Sequence, residues 1–178
     1  MKNSFVLIII LTILSCCSKD ENSSNAQLPA ETQTGANTVG CLVNGKVFLP
    51  YAEGITADVN CFYQQINDKF YFSMAFSDLR GESNETVSVQ RIGDNLIAGQ
   101  TYTLNKNPID NGDFLGGGGT FRLSSSNKFY TNTSQIGELK ITNLDTSKSI
   151  ISGTFWFNAI NTAGQKVEIR QGRFDWKY

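Results

Sequence analysis

The chain has 178 residues, with 15 Lys and Arg against 16 Asp and Glu, a net charge of −1, and no histidine. A balanced charge with no basic stripe argues against a nucleic-acid partner. The missing histidine removes Ser-His-Asp and Cys-His catalysis and most zinc sites.

Met1 to Ser4 carries one positive side chain, and Phe5 to Leu14 is apolar apart from Thr12. That run is too short for a spanning helix, which needs about 20 apolar residues. A basic start, a short apolar core and small residues after it predict a signal peptide over residues 1–16. Leu14-Ser15-Cys16-Cys17 resembles the lipobox of bacterial lipoproteins. Cys17 is the favoured acyl acceptor and Cys16 the alternative. Ser18-Lys19-Asp20-Glu21 resembles the Lys-then-acidic tag of Bacteroidota surface lipoproteins. The resemblance implies several acyl chains on one cysteine, which would hold stably where a single chain holds weakly.

Residues 17–39 combine the lipidated cysteine with a polar stretch almost free of large apolar side chains. Such a stretch buries too little to offset its ordering entropy, so a disordered tether is expected. Its random-coil span is roughly 25 Å. The membrane is then met through the lipid alone, because no basic amphipathic segment is present.

Residues 40–178 form one domain by length. Sixteen glycines against three prolines suit a turn-rich antiparallel fold. Asn44-Gly45 between Cys41–Val43 and Lys46–Leu49 is a hairpin signal, since a type I′ turn needs positive φ at both central residues. Ala57, Val59, Cys61 and Tyr63 alternate with polar residues, and Asn67-Asp68 turns the chain. Phe70, Phe72, Met74 and Phe76 then make the clearest period-two face, a core face. Val87 and Val89 continue the pattern, and Thr101–Leu104 is a short strand. Asn105 to Gly119 is weakly patterned, and its Gly116–Gly119 run predicts a flexible loop or strand entry. Strands follow from Phe121 and at Phe129–Thr131. Near the end, Leu139 and Ile141, then Phe155, Phe157 and Ala159, then Val167 and Ile169, point inward. Phe174, Trp176 and Tyr178 point inward too, opposing Arg173, Asp175 and Lys177. Gly172 marks a bulge or bend. About nine strands at such spacings predict an all-β, antiparallel β-sandwich, with a closed β-barrel as the alternative.

Cys41–Phe48 (CLVNGKVF), Gly137–Asp145 (GELKITNLD), Ile151–Ala159 (ISGTFWFNA) and Gly172–Tyr178 (GRFDWKY) resemble an uncharacterised family of small Bacteroidota lipoproteins. The resemblance implies an exported, β-rich lipoprotein and transfers no catalytic residue.

Candidate chemistry is sparse. Cys41 and Cys61 are either a disulfide, as an exported chain permits, or two buried thiols. Asp110-Asn111-Gly112-Asp113 has oxygen ligands, but the spacing matches no calcium loop and turn chemistry is the better account, so no metal is expected. The glycine run lacks the Lys-Ser/Thr of a phosphate cradle. No cofactor is expected. Trp156, with Thr154 and Asn158 beside it, lies opposite the inward phenylalanines. On a solvated face it would be a platform for a sugar or an anchor for a protein. The expectation is a non-enzymatic binding or accessory module at the outer membrane or cell surface, with carbohydrate or an envelope protein as partner. The alternatives are a surface carbohydrate hydrolase using a carboxylate pair, and a purely structural envelope lipoprotein.

Overall fold

The computed structural model describes residues 27–52, 58–80, 84–108 and 114–178. The acylation candidates Cys16 and Cys17, Ala57, and the Asp110–Asp113 loop lie outside the described residues. The elements are all strands: β1 (Thr38–Val43), β2 (Lys46–Phe48), β3 (Val59–Ile66), β4 (Lys69–Asp78), β5 (Glu85–Gly93), β6 (Thr101–Leu104), β7 (Gly116–Arg122), β8 (Lys128–Tyr130), β9 (Gly137–Asp145), β10 (Ile150–Ile160) and β11 (Lys166–Lys177). They form one sheet in the order β2-β1-β11-β10-β9-β6-β7-β5-β4-β3, with β8 between β10 and β7. All pairings are antiparallel except that of β6 with β7.

The all-β expectation holds. The sheet folds over so that its two ends face each other across the core. Phe72 meets Phe174 at 5.7 Å between ring centroids, Phe76 meets Phe155 at 6.4 Å, and Tyr63 meets Tyr178 at 5.7 Å. On one side β6 and β8 carry the sheet round from β7 to β9 and β10. On the other, among the described residues, Tyr51 after β2 bridges to Asp78. Among the described residues no ladder joins β2 to β3, so the sheet is not a closed barrel.

Local chemistry accounts for the turns. Asn44 and Gly45 take φ of 49° and 81°, the two positive values a type I′ hairpin needs. Asn67 takes 54° between β3 and β4, a value asparagine tolerates better than most residues. The inward row of β4 is as expected: Phe72, Met74 and Phe76 are buried, and Val87 and Val89 of β5 lie against them. The bend expected at Gly172 is a bulge. Phe155 faces Gly172 and Phe157 faces Ile169, so two residues, Arg170 and Gln171, oppose Trp156.

Two expectations are corrected. Of the two readings of Gly116–Gly119, the flexible loop is wrong and the strand entry holds: the run opens β7, and Gly117, Gly118 and Gly119 are buried. A Cβ on Gly117 would lie 2.7 Å from the Thr103 carbonyl oxygen, one on Gly118 2.6 Å from that of Lys106, and one on Gly119 2.7 Å from the Phe157 ring. The strand needs glycine because other backbone and an aromatic ring press against it. Thr131 fixes this approach. Its buried hydroxyl donates to the Lys106 carbonyl at 2.5 Å and accepts from the Gly119 amide at 2.9 Å.

The second correction concerns the tether. Its portion from residue 27 onward lies on the domain, and β1 already begins at Thr38. The fastening is Asp175. It sits on the outward side of β11, as alternation requires, yet it is only 1% exposed. Oδ2 accepts from the Thr32 hydroxyl at 2.6 Å and from the Thr34 and Ala36 amides at 2.9 and 3.1 Å. Oδ1 accepts from the Gly35 amide at 2.8 Å and the Ser152 hydroxyl at 2.8 Å. Burial alone would raise the carboxyl's pKa. The Thr32 hydroxyl, the Ala36 amide, Ser152 and the Thr34 amide outweigh it and hold the group well below the usual carboxylate range.

Replacing Asp175 with Asn should destabilise the fold by about 2–4 kcal/mol at pH 7, measured by urea unfolding. Because the folded pKa lies below the unfolded value near 3.9, the stabilisation is complete above about pH 5 and is lost as pH falls through the folded value. The unfolding midpoint of the native chain should therefore drop between pH 7 and pH 3 by more than that of D175N. Gly119→Ala should cost about 1–3 kcal/mol by forcing the Phe157 ring aside, read in the same assay.

Candidate functional site

The residues singled out as a platform are placed as their alternation requires. Phe155, Phe157 and Ala159 are buried, while Thr154, Trp156 and Asn158 are half-buried on the solvent side of β10. Trp156 is braced. Its Nε1 donates to Glu138 Oε2 at 3.1 Å across the rung it shares with β9. The Arg170 guanidinium lies 5.5 Å from the ring centroid. Arg170 stands on the bulge, and it also donates to Asn158 Oδ1 at 2.5 Å and to the Phe157 carbonyl at 3.1 Å. The bulge thus aims a cation at the indole and ties Asn158 into the same cluster. Thr154 lies between Lys140 and Arg173 on its rung. The face is polar and mixed in charge, with its aromatic held in one orientation.

The second surface was not legible in the sequence. Thr86, Ser88 and Gln90 of β5, Thr120 and Arg122 of β7, and Lys128 and Tyr130 of β8 are each two residues apart on their strands, and together with Pro108 they line a groove of about 240 Å³. Tyr130 is opposite Thr120 on one side and Ile160 of β10 on the other. Residues paired across a ladder share a face. The groove and the Trp156 row therefore lie on the same side of the sheet.

A third feature is a cleft of about 370 Å³ at the end of the core, floored by Phe48, Phe121, Leu123 and Phe129 and rimmed by Lys46, Lys166, Asp78 and Glu85. Asp78 and Glu85 face each other across β4 and β5. Arg80 donates from Nε to Asp78 Oδ1 at 2.9 Å and from Nη2 to Oδ2 at 2.6 Å, which holds that carboxyl below its usual range. Burial, and then the charge of Asp78, push Glu85 upward. One carboxyl held ionised and one pushed toward its acid form is the split a glycosidase uses. Here, however, both oxygens of Asp78 are committed to Arg80.

Cys41 and Cys61 are free thiols, on β1 and on β3 at the far end of the strand order. No bond joins them in the structure. Cys41 is buried against the core and Cys61 packs beside it. Burial raises both thiols, that of Cys61 to about 12. They act as small apolar side chains. Tyr63 is likewise a core residue. It is buried, and its hydroxyl accepts from the Leu96 amide at 2.9 Å. Among the described residues no three Cys, Asp or Glu side chains gather as a metal site.

Fold and surfaces together define a β-sheet domain with open polar faces. Residues 80–175 match the model of a family described as a domain of unknown function (DUF6252), and the chain belongs to that family. No curated protein and no solved structure matches the chain.

Alkylation checks the thiols. Without reductant, native protein treated with iodoacetamide at pH 8 should take up label at Cys41 and Cys61 very slowly, because almost no thiolate is present. In denaturant both should label fully, as read by peptide mass mapping. Failure of either to label in denaturant without reductant would mean it is oxidised.

Proposed function

We propose that this protein is a lipid-anchored module of the outer membrane or cell surface that binds a polar ligand, a glycan in the first instance, without chemically altering it. The observation that carries the reading is the outward row Thr154-Trp156-Asn158, with the indole fixed by Glu138 and Arg170 on a solvated polar face. An aromatic ring held in place, flanked by hydroxyl, amide and charged groups, suits a sugar ring: stacking on its apolar face and hydrogen bonds at its edge. Bracing lowers the entropy lost when a ligand settles on the ring. The pattern at Leu14–Glu21 supports the lipid anchor.

The hydrolase reading finds its best support in Asp78 and Glu85. It requires a second carboxylate free to act as nucleophile or base. Arg80 occupies that group, so binding is the better account of this surface chemistry.

A glycan array probed with the full chain in detergent, beside Trp156→Ala, tests the reading. Binding by the native chain should weaken about tenfold or more in the variant. Binding unchanged in the variant would move the site off this row. No binding to any glycan would contradict the sugar reading and favour an envelope protein as the ligand.

A further inference from the structure

The groove on β5, β7 and β8 sets two cations together with no carboxylate partner among the described residues. Arg122 and Lys128 are directly opposite in register. Like charges facing each other across a ladder repel. Among the described residues neither is within ion-pair distance of a carboxylate. Arg122 donates through Nη2 to the Thr86 hydroxyl at 2.6 Å, but its Nε is buried with no hydrogen-bond partner among the described residues. A buried donor without an acceptor is destabilising, and a guanidinium is built to meet planar anionic groups with two parallel N–H donors. Around the two cations stand the hydroxyls of Ser88 and Thr120, the amide of Gln90 and the ring of Tyr130. These are groups that hydrogen-bond and stack on sugar.

We propose that this groove binds the anionic group of an acidic glycan, a carboxylate or a sulfate ester, between Arg122 and Lys128. The proposal rests on the binding-module reading and names the ligand's charge. The anion neutralises the Arg122–Lys128 rung, for which no carboxylate stands within ion-pair distance among the described residues. The neutral part of the glycan runs over Thr120 and Tyr130 toward Asn158 and Trp156, along the shared face that the β7–β8 and β8–β10 pairings create.

The test is calorimetric titration of the full chain in detergent with three probes: a galacturonic acid tetrasaccharide, the same tetrasaccharide fully methyl-esterified, and a sulfated galactan tetrasaccharide. At least one acidic probe should bind, and the ester should bind about tenfold more weakly or not at all. Arg122→Gln and, as an exposed second variant with less risk to folding, Lys128→Gln should each weaken the acidic probe while leaving the thermal midpoint near that of the native chain. If acid and ester bind equally and Trp156→Ala weakens both, the charge proposal fails and the binding-module reading stands. Acidic binding unchanged in both K128Q and a folded R122Q also overturns the proposal. If no probe binds, both fail for glycans.

Discussion

One buried carboxylate ties the segment before β1 to the last strand. Asp175 is near the end of the chain, on β11, and it gathers donors from Thr32, Thr34, Gly35 and Ala36 at the other end and from Ser152 of the neighbouring strand. A buried carboxylate is costly unless its lone pairs are filled, and here they are filled by groups some 140 residues away in sequence. The segment they belong to buries little apolar surface of its own. Without the carboxylate those amides would return to water, and β1 would lose the lead-in that sets it against β11. β11 in turn pairs with β10, which carries the Trp156 row on one side and Phe155, Phe157 and Ala159 on the other. The candidate platform is thus built on strands whose position the carboxylate helps to fix.

The second constraint is close approach. Gly117, Gly118 and Gly119 let β7 run against Thr103, Lys106 and Phe157, and this brings β8 into reach of both β7 and β10. That contact turns two sheet segments into one continuous outer face. Packing on the inside and the polar outer face are therefore coupled through the same short strands. Phe157 fills the space that the Gly119 side chain leaves, while Arg122, three residues along, faces solvent-side polar groups.

Much of the fold was legible because its signals were local. The Asn44-Gly45 hairpin, the Phe70-Phe72-Met74-Phe76 row and the Phe155-Trp156-Phe157 alternation each follow from a turn's φ demand or a strand's period of two. The glycine strand was legible only as one of two readings, since glycines have no side chain to show a period, and the reason for them is a ring and carbonyls distant in sequence. The residue 27–37 segment was read as tether because its composition is that of a solvated chain. It is ordered by hydrogen bonds to a carboxylate, which hydropathy does not register. Trp156 was placed on the right face, but its bracing depends on a bulge that turns Arg170 toward it, and Gly172 only hinted at that. The groove was invisible for a similar reason. Thr86, Ser88 and Gln90 look like any solvated strand face until the pairing sets Arg122 opposite Lys128.

The central claim is that ligand is met on the outer face of the sheet and not in the apolar cleft at the end of the core. Backbone amide shifts of isotope-labelled protein, followed by NMR during titration with the galacturonic acid tetrasaccharide, test this directly. The account predicts shifts concentrated at Thr86–Gln90, Thr120–Arg122, Lys128–Tyr130 and Thr154–Asn158. Shifts concentrated instead at Val43–Phe48, Asp78 and Glu85 would contradict it and turn attention to the carboxylate pair at the mouth of the cleft.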